Sequence, residues 1–223
     1  MLQVGEVNMF DAKKAADLAA SILLQYDGSL TVLKLTKLLY ICDRESIREN
    51  SKPITFDKCT SMPHGPVLSR VYNMTTGCAS PAHQAVWDAV IAPRDEHNIS
   101  LRKAQTSALN DLEQNIVEGV CEKFRRFTGW DLVQFTHENF EEWKDPNGSS
   151  FPIEPSTIYK AVGYGKRESS MLVKEIYQED ITTVNFDLER MKQAVESPSV
   201  RIPHGLKGND LTRFILEQAQ TIQ

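Results

Sequence analysis

Between Asp11 and Cys42 apolar residues recur at three- and four-residue spacing in two successive runs, and this periodicity constrains the fold more than any other feature of the chain. The first run sets Ala15, Leu18, Ala19, Ile22 and Leu23 on one side of a helix that starts near Asp11 and runs to Tyr26. Gly28 follows, free to take the left-handed position that closes a helix. In the second run Thr31 has the side chain of an N-cap, and Val32, Leu35, Leu38, Leu39 and Cys42 form one stripe behind it. Lys34, Lys37, Asp43 and Arg44 face elsewhere in that reading. Two such stripes joined by a short link pack together as a helical hairpin.

Beyond Ser51 the pattern changes. Pro53 blocks a helix, 54–62 reads as extended chain, and Pro63-His64-Gly65-Pro66 is a rigid turn. Pro66 suits the first position of a new helix carrying Val67, Val71 and Met74 up to Gly77. Segments 86–91 and 98–101 flank the turn-forming Pro93-Arg94-Asp95-Glu96 and read as a short β-hairpin. Thr106 or Ser107 opens the longest helix, with Leu109, Leu112, Ile116, Val120, Phe124 and Phe127 spaced for burial. Thr128 and Asp131 have capping-box spacing at the start of a short helix bearing Trp130, Val133 and Phe135. Residues 145–155 read as a loop, followed by helices near 156–162, 166–178 and 188–195. The tail from Ser197 holds Pro198, Pro203, Gly205 and Gly208 before a last helix from Asn209. The expected fold is mainly α with a small β-hairpin, an α+β arrangement: a compact helical domain at 1–170 with a C-terminal helical extension at 171–223.

A chain of 223 residues with a hydrophobic fraction of 41% and a charged fraction of 25% has ordinary globular composition. Its net charge of −5 argues against a surface devoted to neutralising phosphates. Residues Met1 to Glu6 have neither the basic start nor the apolar stretch of a signal peptide, and no window approaches the ~20 apolar residues that span a bilayer. A cytoplasmic location without membrane contact is expected. Cys42, Cys59, Cys78 and Cys121 are scattered rather than paired, which fits reduced structural thiols. Sequons at Asn73, Asn98 and Asn147 carry no weight without secretion.

Candidate chemistry is sparse. In Gly163-Tyr164-Gly165-Lys166 the first glycine of a phosphate loop would fall at Lys160 and Arg167 replaces the hydroxyl, so a helix-ending turn is the better reading. Cys59 and His64 are near in sequence, yet no third orienting group accompanies them. His137, Glu138, Glu141 and Glu142 gather an imidazole with carboxylates, without metal-ligand spacing; there Phe140 and Trp143 are expected in the core and the glutamates at the surface. No catalytic residue, cofactor or metal is expected, and the chain is not read as an enzyme. Helix, helix, Pro66 helix and hairpin follow the order of a winged helix, with Lys34, Lys37, Arg70 and Arg94 as phosphate contacts. Asp43, Glu45, Asp57, Asp88, Asp95 and Glu96 dilute that basic set, so nucleic acid is not the expected partner.

The run from Leu33 through Lys34, Leu35, Thr36, Lys37, Leu38, Leu39 and Tyr40 to Asp43, then Pro53-Ile54, Pro63-His64-Gly65-Pro66-Val67 and Tyr72, resembles the pattern of the Panacea domain, the SocA-like or GepA-like domain of bacterial and phage genomes. His137-Glu138 followed by Trp143-Lys144 is similar to a later segment of that family, and the resemblance covers Met9 to Val162. It implies an antitoxin of a toxin–antitoxin system that binds a co-encoded toxin protein and silences it. It also leaves two alternatives, a proteolytic adaptor presenting the toxin to a protease and a winged-helix-like transcriptional regulator.

The residues put forward for partner binding are Lys34, Lys37, Tyr40, His64, Gly65, Pro66, Tyr72 and Trp143. Lys34, Lys37 and Tyr40 fall three apart on neighbouring turns of one face, where Tyr40 serves either as an interface anchor or as a boundary residue of the core. The His64-Gly65-Pro66 turn either aims the next helix or meets the partner. If the helix face is free, Tyr40→Ala with Lys37→Glu weakens binding and leaves stability unchanged.

Overall fold

The computed structural model describes residues 10–102 and 109–177. The chain divides into two compact units, Met9–Lys174 on the one hand and Met1–Asn8 with Glu175–Gln223 on the other. The expected helices at 188–195 and from Asn209, and the tail from Ser197, lie outside the described residues.

The unit Met9–Lys174 is mainly helical with two small antiparallel sheets, as the sequence predicts. Its first helix, α1 (Ala12–Leu24), is capped by Asp11, whose carboxylate accepts from Lys13 N at 2.8 Å and Lys14 N at 3.1 Å. A short strand β1 (Ser29–Thr31) leads into α2 (Val32–Asn50), with Thr31 Oγ1 accepting from Lys34 N. Then come strands β2 (Cys59–Met62) and β3 (Gly65–Leu68), helices α3 (Ser69–Thr76) and α4 (Pro81–Asp88), and strand β4 (Asn98–Ser100). Helices α5 (Asp111–Lys123) and α6 (Gly129–Asn139), strand β5 (Phe151–Ile153) and α7 (Pro155–Ala161) complete the unit's named elements. The chain is again helical over 166–177.

Helix α2 is the axis of the unit. Packed against it are α1, α3, α5, α6, α7, β1 and β3, so its stretch from Lys34 to Arg44 is buried on every side, while Arg48, Glu49 and Asn50 at its end are exposed. Leu35, Leu38, Leu39 and Cys42 join Leu18, Ile22, Val117, Leu132 and Trp87 in one continuous core, each large apolar side chain contributing ~1.5–3 kcal/mol by burial. Lys34, Lys37, Asp43 and Arg44, expected to face away from the stripe, are buried as well. Polarity along a helix distinguishes apolar from polar residues; it does not distinguish solvent from an interior that offers each polar group a partner. Lys34 Nζ donates to Arg125 O at 3.0 Å, and Asp43 accepts from the amides of Ile54 and Thr55, both at 3.0 Å, and from Thr55 Oγ1 at 2.7 Å.

Three local expectations are corrected. Pro66 lies in β3 opposite Ser61 rather than at a helix start; β3 is an edge of the β3-β2-β5 sheet, where the missing N–H is tolerated. The helix begins at Ser69 instead, and Asp57 receives its first amides, accepting from Arg70 N at 2.8 Å and Val71 N at 2.9 Å. The first half of segment 86–91, up to Asp88, belongs to α4, opened by Ser80 as N-cap and Pro81; β4 pairs with β1 (Leu30 opposite Ile99), and the expected hairpin is reduced to antiparallel bridges at Ile91–Leu101 and Asp95–Asn98, with Ala92 N donating to Ser100 O. Within 145–155, read as loop, β5 pairs with β2 through Thr60 and Pro152. The expected opening of α5 at Thr106 or Ser107 lies outside the described residues; α5 starts at Asp111 behind a capping box of Asn110 and Glu113. The Thr128–Asp131 capping box of α6 forms as expected, and Gly163 ends α7 with a φ of 110°.

Candidate partner-binding groove

The N-terminal ends of α2 and α6 meet closely. A Cβ at Gly129 would stand 3.1 Å from both the Leu33 side chain and Lys34 N, so a residue without a side chain is what lets the two helices approach. Trp130 follows at once and is 61% exposed, an unusual position for so large an apolar ring. Its ring meets His64 edge-on, with centroids 4.9 Å apart. His64 and Pro63 form the two-residue turn between β2 and β3.

Below the turn, Gly65 has a φ of 93°, and a Cβ there would come within 2.7 Å of Thr136 Oγ1 and 3.1 Å of Lys37 Nζ. Lys37 is therefore pressed beneath the turn backbone, 1% exposed, with its ammonium donating to Pro66 O at 2.9 Å. Burial without a counter-charge lowers its pKa from 10.5 to about 7. Between the turn, the two helix ends and the 94–97 loop lies a groove of about 620 Å³, walled by Val32, Leu33, Val67, Tyr72 and Trp130.

Of the eight residues put forward from the sequence, Lys37, His64, Gly65 and Tyr72 line this groove. Pro66 is buried and serves through its carbonyl. Lys34 is turned elsewhere, its ammonium 4.2 Å from the centroid of the Tyr26 ring, and burial lowers its pKa. Tyr40 is 1% exposed and donates to Glu142 Oε1 at 3.1 Å, so of its two readings the structure takes the core. Trp143 stacks flat on His137 with centroids 3.7 Å apart and donates from Nε1 to Met62 O at 3.0 Å, pinning the end of β2. The expectation of one exposed face shared by Lys34, Lys37 and Tyr40 is therefore corrected. Missing from the sequence reading were Trp130 as a groove residue and the contribution of Val32, Leu33 and His97. No sequence signal separated Trp130 from the core, because it stands three places before Val133, the spacing of one helix face.

The other candidate constellations also resolve. Glu142, expected at the surface, is 3% exposed and accepts from Arg44 Nε at 2.7 Å, while Phe140 packs in the core as expected. Cys59 is held as a thiol, since burial pushes its pKa well up, and this opposes a nucleophilic thiolate. Among the described residues no group of three or more His, Cys, Asp or Glu is placed to hold a metal ion. The winged-helix order dissolves, because Pro66 is in a strand, the hairpin is reduced to isolated bridges, and Lys34 and Lys37 are interior. Among the described residues no helix is long and apolar enough to cross a membrane.

Residues 35–144 match the family model of the antitoxin SocA-like, Panacea domain. Over that span, just under half of its length, the chain is similar to the Panacea domain. Comparison with curated proteins and with solved structures gives no match. The Panacea segment opens inside α2 at Leu35 and closes at Lys144, so it contains both Arg44 and Glu142 and the whole β2–β3 hairpin. It also holds Trp130, while Val32 and Leu33 of the groove and the helices α1 and α7 flank it.

Proposed function

We propose that this protein is an antitoxin that neutralises a co-encoded toxin by direct stoichiometric binding, with the groove beside the β2–β3 turn as its contact surface. The observation that carries this reading is the coincidence of the Panacea segment with a groove bordered by an exposed tryptophan. Exposed aromatic rings beside partly apolar walls are what protein interfaces use as anchors. The protein performs no catalytic step in this reading: it occupies the toxin.

Co-expression with the product of the neighbouring gene tests it. Rescue of growth together with recovery of the two proteins in near-equal amount is the expected result. Loss of both rescue and co-purification would refute it, and a salt-sensitive shift of the protein's own promoter fragment would favour the regulator instead.

A further inference from the structure

We infer that the groove receives an acidic segment of the partner protein, a stretch in which an aspartate or glutamate side chain stands beside an apolar or aromatic one. The identity of the partner as a toxin rests on the antitoxin reading above; the chemistry of the segment rests on the groove itself.

The groove lining has more basic than acidic side chains in an acidic protein. Arg94 stands at its rim with His64 and His97 beside it, and the Lys37 amine lies beneath its floor, buried and bonded to Pro66 O, against the single carboxylate of Glu96, whereas the whole chain has a net charge of −5. Two helices of 19 and 11 residues present their N-terminal ends here, and such ends carry partial positive charge. The one acid in the first turn of α6, Asp131, is engaged by Thr128 N at 2.7 Å and Thr128 Oγ1 at 2.8 Å.

The lining is also rich in idle donors. Among the described residues the Arg94 guanidinium, the Trp130 Nε1–H and the Tyr72 hydroxyl donate to no other residue and face water, which a ligand that supplies acceptors can replace. Val32, Leu33, Met62, Val67 and the Trp130 ring add apolar wall, which calls for an apolar side chain next to the acceptor. Nucleic acid is a poorer match. A phosphate chain is held by successive exposed cations, and the lining has one exposed permanent cation, Arg94.

The test is selection of random heptapeptides displayed on filamentous phage against the immobilised full-length protein. Displayed peptides have no free C-terminus, so any carboxylate that is selected belongs to a side chain. Enrichment of Asp or Glu next to Leu, Ile, Phe or Trp is expected. A synthetic, C-terminally amidated copy should bind at least tenfold more weakly when its acid is replaced by the amide. It should also bind at least tenfold more weakly to Arg94→Glu and to Trp130→Ala, with the thermal midpoint of both proteins unchanged. Four results would overturn the proposal: no enrichment, enriched peptides without an acid, capture that survives both substitutions, or displacement by an oligodeoxythymidine. Co-expression rescue with failed selection removes this inference and leaves the antitoxin reading standing; selection as expected without rescue does the reverse.

Discussion

Arg44 and Glu142 stand 98 positions apart and meet in the interior, Arg44 Nε donating to Glu142 Oε1 at 2.7 Å. The Glu142 side chain has no exposure, Tyr40 donates to the same oxygen, and Arg44 lies 4.1 Å over the Phe140 ring. A charge left alone at this depth is costly, whereas losing both charges together is not. Glu142→Ala is therefore expected to cost ~3–5 kcal/mol, and Arg44→Leu with Glu142→Leu to cost less than either single change. Urea denaturation of the three variants checks this; a Glu142→Ala protein as stable as wild type would show that the pair is not structural.

Lys37 and Tyr40 reverse the outcome expected of an exposed face. Lys37→Glu would set a carboxylate against Pro66 O with no water to screen it, so the variant combining it with Tyr40→Ala should fail to fold. Circular dichroism of the purified double variant settles the point, because a protein folded like wild type would place both residues outside the core.

Lys37 also sets a pH dependence. With its folded-state pKa lowered from 10.5 to about 7, the unfolded chain keeps a proton that the folded chain has released, so the lysine's contribution to stability rises as pH climbs from about 7 towards 10.5. Lys37→Met lacks this titration. The stability difference between wild type and Lys37→Met should move in favour of wild type between pH 7 and ~9, below the tyrosine range; a difference that stays flat would mean the amine is not desolvated.

Asp43 and Asp57 act in the opposite direction at lower pH. Burial raises them from 3.8 to about 7 and about 6, so the folded chain holds protons that the unfolded chain has lost, and their contribution falls as pH rises from ~4 to 7. Asp43→Asn should flatten that fall in a series of thermal melts. Asp57→Ala, which removes the acceptor of two α3 amides, should cost ~1–2 kcal/mol, as loss of a helix cap does.

Gly65 is the most constrained residue of the turn. Gly65→Ala combines a backbone of φ 93° with a Cβ only 2.7 Å from Thr136 Oγ1, and should lower stability by ~1–3 kcal/mol. Adding Thr136→Ala should recover part of the loss; no recovery would assign the whole cost to the backbone.

The helices were legible where local chemistry decides them. Thr31 and Thr128 cap as expected, the first helix starts beside Asp11 as read, and the stripe of α1 is buried as spaced, whereas in the α5 stripe Leu112 is exposed. What was not legible depends on partners distant in sequence. Pro66 sits in a strand because Ser61 is opposite it, and Asp57 caps a helix that starts 12 residues later, at Ser69. The groove was half legible: the Pro63-His64-Gly65-Pro66 turn marks one wall, but only the approach of Gly129 to Leu33 brings Trp130 to the other. Lys37 was found for the right reason of place and the wrong one of exposure.

The central position of α2 bears on the order in which the protein can come into being. Its neighbours are drawn from α1 through α7, so a ribosome that has delivered the first hundred residues has made a helix whose arginine awaits a glutamate not yet synthesised. Stable structure therefore arrives late and together, near the moment Glu142 and α7 emerge. Chains truncated before that point should be substrates for housekeeping proteases, which ties the supply of working protein to completed translation.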